Sequence, residues 1–186
     1  MFSLKYCSLA TYITSAVMLT VLLLSACGSG VRVQRSTVQY FDSSFSATVA
    51  NKSFKVKKPR NGDYPLLDLF WIWQVKADNV QVFFAGDKLM FQYLDNGQPV
   101  EKQFAGHFKE KGYYEYYFSR KRIQIPPFIG FIYSRIDVYR VRLALTNEGD
   151  LIVDHKLDNS GNILIFGAGA SVRGQSFFKA SRSITK

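Results

Sequence analysis

Residues 80 to 97, VQVFFAGDKLMFQYLDNG, carry the clearest fold signal in this sequence. Val80 to Ala85 and Leu89 to Leu94 are rich in β-branched and aromatic residues, and Gly86-Asp87 separates them. This pattern predicts two strands joined as a hairpin. Asp95-Asn96-Gly97 predicts a second tight turn, because Asn and Gly adopt positive φ at low cost. Pro99 to Phe108 would form the next strand.

The rest of the chain repeats this pattern of short apolar runs separated by Gly, Asn and Asp. Helical periodicity is absent after the N-terminal leader. We therefore expect one all-β domain over residues 38–186, with about eight to ten strands, built as an antiparallel up-and-down barrel or as a sandwich. Asn147-Glu148-Gly149-Asp150 and Asn159-Ser160-Gly161-Asn162 each precede apolar residues, which predicts two turns separated by one strand. Residues 126–133 are an apolar connection that would fold over one barrel end.

Residues 65–75 are the most apolar stretch after the leader and contain both tryptophans, Trp71 and Trp73. Their spacing would place them on one face of a strand, with Phe70 and Ile72 on the other. A short helix beginning at Leu66 is the alternative. In either case the large aromatic side chains are expected to anchor the core.

The chain is basic, with a formal net charge of +10, and this balance favours polyanionic partners. The densest cluster lies in residues 52–60, where alternation predicts a half-buried strand with a basic outer face. The candidate ligand-binding cations there are Lys55, Lys57, Lys58 and Arg60.

A second candidate surface lies in Tyr113 to Ile125, which is predicted to be one strand. Strict alternation would place Tyr114, Tyr116, Phe118, Arg120 and Arg122 on a single face. Aromatic rings beside arginines can stack on bases or sugars, which makes Tyr114, Tyr116, Arg120 and Arg122 candidate binding residues. An ordinary strand whose polar end reaches solvent is the alternative.

Catalytic and metal-binding patterns are scarce. The chain has two cysteines, Cys7 and Cys27, and two histidines, His107 and His155. Metal sites usually require several converging ligands, so we expect no metal site and no cofactor. Serine-nucleophile and zinc-protease motifs are also absent. These features predict a non-enzymatic protein, with a hydrolase that uses two of the carboxylates as the alternative.

Leu24-Ser25-Ala26-Cys27 resembles the lipobox of bacterial lipoproteins, and an apolar run precedes it. The resemblance implies that residues 1–26 are a signal peptide, that Cys27 is lipidated, and that 27–37 form a flexible tether. Gly28 after the cysteine is typical of outer-membrane sorting, which would leave the domain facing the periplasm. An uncleaved N-terminal anchor helix is the alternative.

Together these features predict a lipid-anchored protein of the cell envelope, similar in outline to bacterial lipocalins. Its ligand would be apolar or anionic, such as an anionic lipid or lipopolysaccharide, or its partner would be another envelope protein. Nucleic acid is not an expected partner. The alternative activity is hydrolysis of an envelope glycan or lipid.

Overall fold

The computed structural model describes residues 38–39, 41–57, 64–125, 132–164 and 166–181. These residues form antiparallel strands and one short 3-10 helix, Asp68–Phe70, so the all-β prediction is confirmed. The strands are β1 Val38–Gln39, β2 Ser46–Ala50, β3 Lys55–Lys57, β4 Asn79–Ala85, β5 Lys88–Asp95, β6 Gln98–Ala105, β7 His107–Lys109, β8 Tyr113–Ile125, β9 Tyr133–Thr146, β10 Leu151–Ile163, β11 Phe166–Phe178 and β12 Ala180–Ser181.

The strands form two sheets. The large sheet has the order β3-β11-β10-β9-β8-β7, with β1 also paired to β9, and the small sheet has the order β12-β2-β4-β5-β6. Among the described strands neither sheet closes on itself, so the closed barrel is not confirmed. The order of β4 to β11 nevertheless follows the chain, as expected for a meander.

The chain passes from one sheet to the other through very short connections. Gly106 alone separates β6 from β7, and Lys179 alone separates β11 from β12. Beside Lys179, residues 51–54 lead from β2 to β3, and the Ala50 amide donates to the Lys179 carbonyl at 2.9 Å. The two sheets are therefore linked along their edges.

One hydrophobic core draws on both sheets. The short helix contributes Phe70, whose ring lies 4.6 Å from Phe91 and 4.9 Å from Phe104 of the small sheet. The large sheet contributes fully buried side chains from β8 to β11: Tyr114, Val141, Leu143, Leu151, Val153 and Phe178. Burial of this apolar surface is the main term that stabilises the fold.

The turn chemistry of residues 80–97 is confirmed. β4 pairs with β5 around Gly86, and β5 pairs with β6 around Asn96 and Gly97, which have φ of 50° and 79°. The strand predicted from Pro99 to Phe108 is interrupted at Gly106. A Cβ atom there would lie 2.5 Å from the Glu115 carbonyl oxygen, so the close approach of β8 requires glycine.

The strand predicted through the tryptophans is wrong, and the short-helix alternative is correct. Leu66, Leu67 and Phe70 are buried and anchor the core. Trp71 follows the helix in the left-handed conformation, with φ of 60°, and this directs its side chain to the surface. Trp71 and Trp73 are 49% and 56% exposed, so neither anchors the core.

The single face predicted for β8 is also wrong, because a β-bulge lies at Phe118. Tyr117 pairs with Arg140 and Ser119 pairs with Tyr139, which leaves Phe118 as an extra residue. An extra residue reverses the faces of all positions beyond it. Tyr114 and Tyr116 therefore face the core, whereas Arg120 and Arg122 face away from it.

The second predicted turn, at Asn159 to Asn162, is likewise wrong. These residues lie within β10 and pair with β9 on one side and β11 on the other. The hairpin reverses after Ile163 instead, at an apolar turn. The first turn is confirmed, with Gly149 at φ of 88°.

Several predictions lie outside the described residues: the signal peptide 1–26, the tether 27–37 with Cys27, the cations Lys58 and Arg60, and most of the connection 126–133. Within the described residues, no helix is both long and apolar enough to span a membrane.

Candidate anion-binding face

The face of the large sheet that points away from the core, called here the outer face, carries a row of polar residues. Paired residues of adjacent strands share a face, so the register places six side chains in one line across the sheet. From β7 to β3 the row is His107, Glu115, Arg142, Asp154, Gln175 and Lys57.

Glu115 is the centre of the first half of this row. Arg142 Nε donates to Glu115 Oε1 at 2.7 Å, and the two side chains are 3% and 5% exposed. Arg140 and Lys109 lie further off, at 3.8 and 3.6 Å. Burial by itself raises the pKa of Glu115, but the Arg142 hydrogen bond and the three positive charges outweigh it, so the pKa is lowered. Glu115 is therefore held as a carboxylate.

Asp154 is the centre of the second half and is completely buried. Arg173 Nη2 and Gln175 Nε2 each donate to Asp154 Oδ2 at 3.2 Å. Arg140 Nη2 lies 3.8 Å from Asp154 Oδ1 and so connects the two carboxylates. Arg140 and Arg173 belong to the neighbouring row of the same face, so three guanidinium groups surround the two carboxylates and leave an excess of positive charge around them.

Two buried donors of this network have no hydrogen-bond partner among the described residues: Arg142 Nη1 and Arg140 Nε. Buried donors are normally satisfied by protein, water or a ligand. The Arg142 guanidinium lies 4.7 Å from the Tyr113 ring, which covers part of its charge. These donors face the same side of the sheet as the exposed cations described next.

The structure brings Lys55, Lys57, Arg120 and Arg122 to this outer face. Lys57 pairs with Gln175 and Lys55 with Phe177, and both lysines are exposed. The bulge turns Arg120 and Arg122 to the same side, and Arg120 lies 5.1 Å from the Tyr117 ring. The basic outer face predicted for residues 52–60 is therefore confirmed for Lys55 and Lys57.

Tyr114 and Tyr116 do not join the arginines. Tyr114 is fully buried in the core, and its hydroxyl group bonds backbone atoms at the Gly106 corner. Tyr116 is half-buried, with its ring 5.3 Å from Phe104. Both tyrosines thus lie on the opposite side of the sheet from Arg120 and Arg122.

Sequence reasoning missed the middle of this face. Alternation along residues 136–145 predicts that Arg140 and Arg142 face outward on β9, but it does not identify their partners on β8, β10 and β11. The cations of the outer face in the described strands are Lys55, Lys57, Lys109, Arg120, Arg122, Arg140, Arg142, Lys156 and Arg173, and its carboxylates are Glu115, Asp154 and Asp158. The face is strongly basic.

A second unusual surface lies on the core side, where the Trp71 ring is stacked on Tyr139 at 4.9 Å and lies tilted against Phe118 at 4.7 Å. The Tyr139 hydroxyl group donates to the Leu69 carbonyl at 2.6 Å, and burial raises the Tyr139 pKa. Gln74, like Trp71, has a positive φ, of 65°. Trp71 has no titratable group, and the raised pKa of Tyr139 makes its hydroxyl group unsuited to acid–base chemistry.

The described residues contain no group of three His, Cys, Asp or Glu side chains that could hold a metal ion. Asp154 and His155 lie on opposite faces of β10, as strand alternation requires. His155 is buried against Gly174 and Tyr64, on the core side of β10. No family model, curated protein or solved structure matches this chain.

Proposed function

We propose that this chain is a lipid-anchored, non-enzymatic protein of the cell envelope, whose outer face binds an anionic ligand such as lipid headgroups or lipopolysaccharide. The proposal rests on the observation that four exposed cations lie on one face of the large sheet: Lys55, Lys57, Arg120 and Arg122. The two sheets are proposed to pack as a sandwich around their shared core.

The spacing of the cations favours an extended ligand. β3 and β8 are separated by β11, β10 and β9, and strands lie about 4.8 Å apart, so the two exposed pairs are roughly 19 Å apart across the sheet. A single phosphate cannot contact both pairs. An array of headgroups or a polymeric anion can, with Arg140, Arg142 and Lys156 lying between them.

The hydrolase alternative receives less support. Glu115 and Asp154 are the buried carboxylates of one row, but each is paired with arginines. A general acid needs a raised pKa, whereas the pKa of Glu115 is lowered. Asp154 is 0% exposed and has no surface that a glycan or lipid could reach.

Salt-dependent binding tests the anionic ligand. Full-length protein should bind immobilised heparin with an affinity that falls with salt, and each lost ion contact should lower the slope by roughly one. Lys55→Gln with Lys57→Gln, and Arg120→Gln with Arg122→Gln, should each reduce the slope. Lys88→Gln with Lys102→Gln is the matched control, because both lysines are exposed on the small sheet. An equal loss in the control would refute a specific face.

Metabolic labelling with a fatty-acid analogue tests the anchor. Wild type should take up the label at Cys27, and Cys27→Ser should remain unlabelled and unprocessed. A single short acyl chain binds membranes only marginally, so stable anchoring would require two or more. Wild type that sediments with membranes without taking up label would instead support the uncleaved anchor helix.

A further inference from the structure

The far end of the large sheet extends well beyond the small one. β8 to β11 have 13 or 14 residues each, whereas the longest strands of the small sheet have 8. The last pairs of the β8–β9 and β10–β11 hairpins are in register and share one face. They form a single row: Ile125, Tyr133, Ile163 and Phe166.

This row is apolar and, apart from the half-buried Tyr133, exposed. Ile125 is 57% exposed, Ile163 64% and Phe166 76%, and Leu164 at the turn is 54% exposed. Contiguous exposed apolar side chains on one structural feature usually mark an interaction site. On the other face at the same level Ser134 bonds Asn162, so the end of the sheet is apolar on one side only.

The turn itself is unusual for a hairpin. Leu164 has a φ of 54°, a conformation that Gly or Asn adopts at lower cost. Its amide donates to the Ile132 carbonyl at 2.7 Å, which ties the two hairpin ends together. Leu164 is exposed at a strained turn and contributes nothing to the core. Its presence there therefore indicates selection for contact with a partner outside this chain.

Cations surround the apolar row. Residues 119–125 and 132–138 contain Arg120, Lys121, Arg122 and Arg135, all exposed, against one carboxylate, Asp137. Apolar side chains that reach the acyl boundary, with lysine and arginine at the headgroup level, are the arrangement that binds anionic bilayers. We propose that this apolar row, together with Leu164, inserts into the surface of an anionic lipid bilayer.

A bilayer fits this surface better than other occupants. Sites for small apolar ligands enclose most of the ligand, whereas Ile163 and Phe166, which line an open depression of about 550 Å³ together with Tyr133, remain 64% and 76% exposed. A second copy would bring Arg120, Lys121, Arg122 and Arg135 against the same four cations, which costs free energy. The inference does not depend on the anchor; it shares Arg120 and Arg122 with the proposed anion-binding face, but its apolar contact is separate from heparin binding.

A fluorescent probe in the full chain tests insertion. Leu164→Cys in a Cys7→Ser, Cys27→Ser background would be labelled with an environment-sensitive dye, with Gln98→Cys on the small sheet as the control position. Vesicles of equal parts phosphatidylglycerol and phosphatidylcholine should raise emission about threefold at position 164, as expected for entry into the acyl boundary. Lipids that carry a nitroxide near the headgroup should quench it, and position 98 should show neither effect.

Two further variants link the signal to the apolar row. Ile163→Asn with Phe166→Asn should abolish the rise at position 164, whereas Leu94→Asn should not, although Leu94 is equally exposed at 61%. The heparin salt slope should stay unchanged in both, which separates this test from that of the proposed function. The inference is overturned if positions 164 and 98 respond alike, if the double variant still inserts, or if emission rises with protein concentration in the absence of lipid.

Discussion

Replacing Tyr114 by phenylalanine removes a buried side-chain oxygen at the corner where the chain leaves the small sheet. That oxygen accepts a hydrogen bond from the Gly106 amide at 2.6 Å, and its proton can be donated to the Phe104 carbonyl at 2.8 Å or the Asp87 carbonyl at 3.0 Å. The side chain is 0% exposed, so water has no ready access to replace it. The variant therefore leaves one buried donor and one buried acceptor unpaired.

Each unpaired buried group costs about 1–3 kcal/mol, so with two such groups we expect Tyr114→Phe to lower the free energy of unfolding by about 2–6 kcal/mol. The control is Tyr116→Phe on the same strand, because its half-buried hydroxyl makes no hydrogen bond to the described residues. It should cost less than about 0.5 kcal/mol. Urea unfolding of the full chain, followed by fluorescence of the stacked Trp71, measures both. Equal losses in the two variants would show that the corner does not depend on this hydroxyl.

Three other variants probe the outer face, the corner and the core. Glu115→Gln should cost about 3 kcal/mol, because it leaves buried arginines uncompensated, whereas Glu101→Gln at an exposed position should cost little. Gly106→Ala should cost about 2 kcal/mol because its Cβ would clash with backbone, whereas at Gly167 the nearest atom lies 3.8 Å away and alanine should be tolerated. Burial lowers the pKa of His155 despite the nearby carboxylate of the adjacent residue, so the unfolded chain binds the proton more readily. Stability should be complete above pH 6.5 and fall as the pH is lowered from there, and His155→Gln should flatten the profile between pH 7 and 5.5 in urea unfolding.

The turns that could be predicted are those whose residues have local conformational preferences. Gly86, Asn96 and Gly97 have positive φ, which few residues adopt cheaply, so sequence alone locates the β4–β5 and β5–β6 turns. The alternation of core-facing and outward-facing residues along β9 could also be predicted from the sequence. Tyr139, Val141 and Leu143 face the core and Arg142 faces outward, as period-two reasoning requires.

The features that could not be predicted depend on partners distant in sequence. The bulge at Phe118 is defined by pairing with Tyr139 and Arg140, and nothing within β8 reveals it. The same holds for the change of sheet at Gly106, which is explained by the approach of Glu115. Residues 159–162 (Asn-Ser-Gly-Asn) do not form a turn, because β9 and β11 pair with β10 along these residues and continue the sheet beyond them.

The bulge at Phe118 also determines which surfaces the large sheet presents. With uninterrupted alternation, Arg120 and Arg122 would face the core side, and Ile123 and Ile125 would face outward. The extra residue exchanges these pairs, so the arginines join the basic outer face and Ile125 joins the apolar row at the free end. Both proposed surfaces therefore depend on one irregularity, and a variant that removed it should weaken heparin binding and bilayer insertion together. While the bulge is intact, each set of substitutions should weaken only one of these two properties, either heparin binding or bilayer insertion.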